Sequence, residues 1–190
     1  MSIIDTALAE ALEVLKRGGV ILYPTDTVWG IGCDATNEAA VARVFEIKRR
    51  SEAKSLVLLA CDLDMVAKHI MVIPPIAIDL VEVNDSPMTI IYPGAQYLAP
   101  NVVAEDGSVG IRIPLNEFCV KLVCKLRKPL VSTSANISGE PTPSCFAEIS
   151  PEISGAVDYV VPDTLEREST GRASQIIKLG LRGEVEIIRP

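Results

Sequence analysis

Val20-Ile21-Leu22-Tyr23-Pro24-Thr25-Asp26-Thr27-Val28-Trp29-Gly30 is an apolar run that breaks into hydroxyls, a carboxylate and a glycine. The run reads as a buried strand, so the polar cluster belongs to the loop at its end. Much later the pattern returns: Pro129-Leu130-Val131 leads into Ser132-Thr133-Ser134-Ala135-Asn136-Ile137-Ser138-Gly139. Hydroxyls, an amide and glycines gathered at strand ends can grip polar ligands through neutral hydrogen bonds. Either stretch alone is equally an ordinary hydrophilic turn. Together, in a chain whose cations are spaced as described below, they favour a ligand site.

The segments around these stretches alternate in kind. Residues 5–17 predict an amphipathic helix with Leu8, Leu12 and Leu15 on one face, Asp5 or Thr6 as its cap and Gly18-Gly19 as its stop. Asn37 caps a second helix carrying Val41, Val44, Phe45 and Lys48. Residues 20–23, 56–60, 88–92, 109–113 and 129–132 read as strands. Residues 62–70, the segment opened by Pro74-Pro75, and 115–127 read as helices. The tail offers strands at 159–161, 176–179 and 186–188, separated by loops rich in Ser, Pro and Glu. Such interleaving predicts an α/β fold, a twisted mixed β-sheet with flanking helices, with some antiparallel pairs in the tail.

At 190 residues, 48% hydrophobic and 23% charged, the chain fits one globular domain over 1–190. Aromatics make up only 4%, so the core must come mainly from Val, Ile, Leu and Ala. A net charge of −7 argues against broad adhesion to nucleic acid or anionic membrane, while leaving room for a local basic pocket. No stretch approaches the roughly 20 apolar residues of a membrane span, and the N-terminus has no signal-peptide pattern. The expected location is the cytoplasm. Five cysteines without a Cys-x-x-Cys pair read as reduced, mostly buried thiols, and with a single histidine, His69, a His/Cys metal site is not expected. His69 is expected on a helix surface.

Several nucleotide and nucleophile motifs are absent. There is no Gly-x-x-x-x-Gly-Lys phosphate loop, no Gly-x-Ser-x-Gly elbow, and one histidine leaves little room for a Ser-His pair. Gly30-Ile31-Gly32-Cys33-Asp34-Ala35 matches the loose dinucleotide fingerprint, yet no helix cap occurs before Asn37. The cations say more. Lys48 and Arg50 close the second helix and Lys54 follows just before a strand, a placement suited either to the helix dipole or to phosphates. Arg112 lies inside Ser108-Val109-Gly110-Ile111-Arg112-Ile113-Pro114, where a charge is costly unless paired or turned to solvent. Arg189 could fray or fold back into a site. Asp26 has no evident carboxylate partner, so a two-carboxylate hydrolase is not suggested. Hydroxyls, one amide and several cations orient an anionic substrate and stabilise phosphate charge without a covalent step.

Pro24–Gly30, Lys48-Arg49-Arg50 with Lys54, Ile111-Arg112-Ile113-Pro114, and Ser134-Ala135-Asn136-Ile137-Ser138-Gly139-Glu140-Pro141 occur here in an order that resembles YrdC/TsaC-type threonylcarbamoyl-AMP synthases of the short, single-domain form. The resemblance covers nearly the whole chain. It implies a sheet around a large concave cavity, and a nucleotidyltransferase reaction. L-threonine, bicarbonate and ATP would give threonylcarbamoyl-adenylate and pyrophosphate for N6-threonylcarbamoyladenosine (t6A) in tRNA. By position, Thr27, Arg112, Ser132 and Ser174 would hold threonine. Arg50, Lys54, Ser108, Ser134, Asn136, Thr142 and Arg189 would line the ATP site, with Lys48 and Arg50 as the catalytic cations. Mg2+ would arrive with ATP, with no tightly held protein metal site. Implied partners are the downstream tRNA threonylcarbamoyl-transfer enzymes and at most weak contact with RNA; no membrane is implied. The chain departs from the family pattern at Lys54-Ser55-Leu56, at Asn84–Thr89, which loses an aromatic wall, and at Ser174-Gln175, where Ser169-Thr170 offers a competing alignment. Other readings are a YrdC-like paralogue with different carbamoyl or nucleotide chemistry, and a double-stranded RNA-binding module.

Overall fold

Ser2, ahead of the expected cap, starts the first helix in the computed structural model, which describes residues 2–50, 56–167 and 169–190. Its hydroxyl accepts from the Asp5 amide at 3.2 Å and the Asp5 carboxylate accepts from the Ser2 amide, a reciprocal capping box. The helix, α1 (Ile3–Lys16), buries Ala7, Leu8, Ala11, Val14 and Leu15, and the chain turns away through Gly18 at φ 83°. β1 (Ile21–Tyr23) then runs into the first polar stretch, as expected.

Beyond that stretch the chain departs from expectation. Gly30–Gly32 is itself a strand, β2, antiparallel to β1 in the register Tyr23↔Gly30. Glycine is required there by space. A Cβ on Gly32 would lie 2.5 Å from the Val131 carbonyl oxygen and 2.7 Å from the Tyr23 ring. With a strand at Gly30–Gly32 and the next helix starting only at Glu38, the dinucleotide fingerprint is excluded.

α2 (Glu38–Ile47) begins on Asn37, whose side chain accepts from the Ala40 amide at 3.1 Å. β3 (Val57–Leu59), α3 (Leu63–His69), α4 (Pro75–Val83), β4 (Met88–Tyr92), β5 (Val109–Arg112), α5 (Glu117–Leu126) and β6 (Leu130–Ser134) come near their expected places. β6 runs two residues further than expected, so Thr133 and Ser134 also sit on a strand rather than in a loop. α6 (Pro151–Ala156), one and a half turns opened by Pro151, lies in what reads as an irregular segment. β7 (Tyr159–Val160), β8 (Gln175–Leu179) and β9 (Val185–Arg189) complete the chain.

The described residues form one nine-stranded mixed sheet in the order β7-β1-β2-β6-β3-β5-β4-β8-β9. The tail strands divide as their connections allow: β8 and β9 make an antiparallel hairpin, while β7 joins β1 and β8 joins β4 in parallel. The core is aliphatic, as composition requires, with Tyr23, Trp29, Phe45, Tyr92 and Phe118 among its few rings. Two kinds of side chain depart from their expected settings. His69 is 8% exposed, its Nδ1 3.3 Å from the Gln96 carbonyl oxygen, and burial lowers its pKa. Cys124 is exposed and Cys61 and Cys145 are half-buried, so only Cys33 and Cys119 are core thiols.

Candidate active site

The loop between β1 and β2 brings the first motif and Arg112 together. Tyr23 ends β1, and Pro24–Trp29 loops back into β2. Inside that loop Thr25 Oγ1 donates to the Val28 carbonyl at 2.7 Å and accepts from the Thr27 amide at 3.0 Å. This fixes Asp26 and Thr27 pointing across to the end of β5. There Arg112, 3% exposed, donates from Nη1 to Asp26 Oδ1 at 2.5 Å and from Nη2 to Thr27 Oγ1 at 3.4 Å. The second Asp26 oxygen accepts from the Leu115 amide at 3.1 Å. A solvent-facing Arg112 is therefore ruled out. The buried charge is paired, as it must be.

The carbonyls of the same loop are clasped from the far end of the chain. Thr170 N donates to Asp26 O at 3.0 Å, Gly171 N to Thr27 O at 2.9 Å, and the Ser169 hydroxyl also donates to Thr27 O. Ser174, five residues on, reaches the cavity wall and shares a 2.7 Å hydrogen bond with Thr89 Oγ1. Of the two alignments, Ser174 is thus the one facing the cavity, and Ser169 serves the loop's backbone.

Among the described residues these elements enclose a hollow of about 230 Å³. Thr27, Arg112, Ser132 and Ser174 line it, and so do Arg50, Ser134 and Arg189. Ser132 and Ser134 share one side of β6 by strand alternation. Gly30, paired with Ser134, keeps the space above them open: a Cβ there would approach Ser132 Oγ to 3.4 Å.

Arg50 is aimed by the end of α2. Arg50 N donates to Phe45 O and Arg49 N to Glu46 O, each at 2.9 Å, with Arg49 at φ 49°. That is a Schellman turn with an arginine where glycine is usual. Burial lowers the pKa of Arg50 and of Arg189. Arg189 reaches the hollow through an irregularity in β9. Ile177 pairs with Ile187 but Ile176 pairs with Arg189, so Ile188 is the extra residue of a β-bulge. Regular alternation would set Arg189 opposite Gln175, on the other face. Instead its Nε donates to the Ser174 carbonyl at 2.8 Å.

The remaining expected residues lie elsewhere. Ser108 opens onto a second hollow of about 510 Å³, which shares Leu56, Val57 and Ile176 with the first. Its hydroxyl donates to Asp106 at 2.5 Å. Lys48 does not reach either hollow. It is 2% exposed, and its ammonium donates to the carbonyls of Ser134 at 2.5 Å and Asn136 at 2.7 Å, strapping the end of β6 to α2. Burial, and secondarily the Arg50 charge, lower its pKa to about 8. Asn136 is half-buried and donates to Glu140 O at 2.8 Å, and so braces its own loop. Thr142 is exposed and lines neither hollow. Lys54 lies outside the described residues.

Asp26 is the residue that the sequence reading undervalued. Its signal was present, since an arginine inside a buried strand demands a counter-charge and the other motif carries one.

Residues 13–190 match the Sua5_yciO_yrdC family model, which is described as telomere recombination. The chain belongs to the Sua5/YciO/YrdC family. It is 36% identical over 157 residues to the threonylcarbamoyl-AMP synthase of Xanthomonas euvesicatoria pv. vesicatoria (strain 85-10), spanning 81% of this chain and 84% of that one. The threonylcarbamoyl-AMP synthase of Stenotrophomonas maltophilia (strain K279a) is 33% identical over 185 residues, 95% of this chain and 97% of its own. The crystal structure of P. abyssi Sua5 complexed with L-threonine superposes with a TM-score of 0.83 at 26% identity, over 90% of this chain and 50% of that longer one. The twisted mixed sheet with its flanking helices is thus the Sua5/YciO/YrdC fold. Its described helices include none long and apolar enough to cross a membrane.

Proposed function

We propose that this chain is a threonylcarbamoyl-AMP synthase. It joins L-threonine, bicarbonate and ATP into threonylcarbamoyl-adenylate and pyrophosphate, and separate enzymes carry the product forward to t6A in tRNA. One observation carries the reading: Arg112 with Thr27, Ser132 and Ser174, and Arg50 with Ser134 and Arg189, converge on one hollow. The first group suits an amino acid, with Arg112 meeting the carboxylate and the hydroxyls meeting the ammonium and side-chain oxygen. The second suits phosphates.

The chemistry asks little of a nucleophilic side chain. The threonine amine and bicarbonate condense to a carbamate with loss of water. A carbamate oxygen then forms a bond to the α-phosphorus as the bond to the pyrophosphate oxygen breaks. Both steps need alignment and charge neutralisation, which fixed cations and donors supply. Asp26 is a positioning residue, acting through Arg112. Lys48 is read as the brace of the Ser134–Asn136 backbone rather than a group touching substrate. Ser108 borders the adjoining apolar hollow, a place for the adenosine. Lys54 is proposed as a phosphate ligand on sequence grounds, and Thr142 and Asn136 as loop residues of the nucleotide side. Mg2+, arriving with ATP, would supply charge neutralisation at the triphosphate. The lining among the described residues, hydroxyls and cations without a carboxylate, fits a metal carried by the nucleotide.

The test is pyrophosphate release from ATP and bicarbonate with and without L-threonine. Strict threonine dependence is expected. Release without threonine would indicate another carbamoyl chemistry on this fold, and salt-sensitive RNA retention without turnover would indicate an RNA-binding module.

A further inference from the structure

A hydroxyl has one proton to give, so the partners of Thr25, Thr27, Thr89 and Ser174 decide which polarity the first hollow presents. Thr25 Oγ1 donates to the Val28 carbonyl, which can only accept, so its proton is committed. Thr25 Oγ1 and Thr27 Oγ1 stand 2.9 Å apart, and in that pair Thr27 must therefore be the donor. Arg112 Nη2 also donates to Thr27 Oγ1, at 3.4 Å. Thr27 is left with a lone pair for the hollow and no proton.

Ser174 and Thr89 make the opposite case. Their oxygens are 2.7 Å apart, and on distance alone either could donate. Burial decides it. Thr89 is 0% exposed, and Ser174 is its one side-chain hydrogen-bond partner among the described residues. A buried hydroxyl proton without an acceptor is costly. Ser174 stands at the wall of the hollow, where a ligand can take its proton. Thr89 is thus the donor. The main chain around Ser174 is pinned as well: Arg189 Nε donates to Ser174 O, and Gln175 N donates to Pro87 O at 3.0 Å.

We propose, resting on the amino-acid reading of this hollow, that Thr89 is a positioning residue whose donation to Ser174 Oγ leaves the Ser174 proton directed at the substrate. Thr27, beside Arg112, accepts a hydrogen bond from the substrate amine while the guanidinium meets the neighbouring carboxylate. Ser174 donates to an oxygen on the substrate side chain. The site thereby selects an amino acid with a side-chain hydroxyl. L-valine, which has threonine's shape with a methyl in place of that hydroxyl, leaves the Ser174 proton unmatched.

The test measures pyrophosphate release by the parent, Thr89→Val and Thr89→Ser, with L-threonine, L-valine and ATP varied in turn. Thr89→Val keeps the branched shape and loses the proton. Thr89→Ser keeps the proton and loses the methyl that lies over Gly110, where a Cβ would come within 3.3 Å of it. The parent should favour threonine over valine by about a hundredfold or more in kcat/KM. Thr89→Val should raise the threonine KM roughly three- to tenfold with the ATP KM within about twofold, and should narrow the preference over valine by a similar factor. Thr89→Ser should restore most of the threonine KM. Should Thr89→Val not fold, Thr89→Ala against Thr89→Ser isolates the same hydroxyl, with the same ratio expected. Greater impairment in Thr89→Ser than in Thr89→Val would mean that Thr89 acts by packing, and would overturn the proposal. So would an unchanged threonine KM in Thr89→Val, an equal loss for threonine and ATP, or a parent that uses valine as well as threonine. Those results leave the synthase reading standing when release by the parent requires threonine. Release that ignores threonine in the parent removes the amino-acid site itself, and this proposal with it.

Discussion

Arg112 and Arg50 line the same hollow, yet they are held in opposite ways. Arg112 is 3% exposed, rises from a central strand and is locked to Asp26 at 2.5 Å. Arg50 is half-buried and projects from the turn that ends α2. Arg189 resembles Arg50 in standing at the end of an element, where it donates to a main-chain carbonyl, that of Ser174. The Arg112 side is thus electrically balanced by its own carboxylate, which suits a zwitterion of no net charge. The other side brings two guanidinium groups, Arg50 and Arg189, to the hollow, which suits a polyanion. A preformed pocket for the amino acid beside a cationic rim for the nucleotide is what the proposed reaction needs.

Removing the counter-charge breaks this contrast most severely. Asp26→Ala leaves a buried guanidinium unpaired and should lower stability by about 3–5 kcal/mol, read as a fall in the urea midpoint, with threonine saturation weakened in whatever folds. Stability within about 1 kcal/mol of the parent would mean that the pair is not buried in solution.

Lys48→Met comes next. It leaves the Ser134 and Asn136 carbonyls without their donor and should cost about 1–3 kcal/mol. If Lys48 instead touched substrate, the variant would lose turnover at unchanged stability. Titration separates the two further. The folded pKa of Lys48 is lowered to about 8 from 10.5, so between those values the unfolded chain holds more protons. Stability on this group's account therefore rises with pH through that window. The stability advantage of the parent over Lys48→Met should widen from pH 8 to 10.5 and stay flat below it.

The turn that aims Arg50 tolerates more. Arg49→Gly relieves a left-handed residue but loses an ion pair to Glu152 that is more than half exposed on both sides. These changes offset one another to within about 1 kcal/mol, so the unfolding temperature should barely move.

Much of the scaffold could be read from the chain because its signals are local. Apolar runs named β1, β3, β4 and β6, and Asn37 named the start of α2. β2 could not be read, since its one strand former, Ile31, stands between two glycines that strands disfavour, and Gly32 is selected by the closeness of Tyr23 and Val131. The site divides along the same line. Thr27, Arg112, Ser132 and Ser134 stand in the quoted motifs, but the Asp26–Arg112 pair joins residues 86 apart. Lys48 at a helix end looks like a free cation until the Ser134–Asn136 loop folds over it. The bulge at Ile188 that turns Arg189 inward depends on pairing with β8, which no single strand reveals.

The contrast between the two sides is tested most directly by steady-state kinetics of pyrophosphate release in Arg112→Gln and Arg50→Gln, with threonine and ATP varied in turn. The expected pattern is crossed: Arg112→Gln raises the threonine KM roughly tenfold or more with little change for ATP, and Arg50→Gln does the reverse. If each variant weakens both substrates alike, the hollow is not divided into an amino-acid side and a nucleotide side.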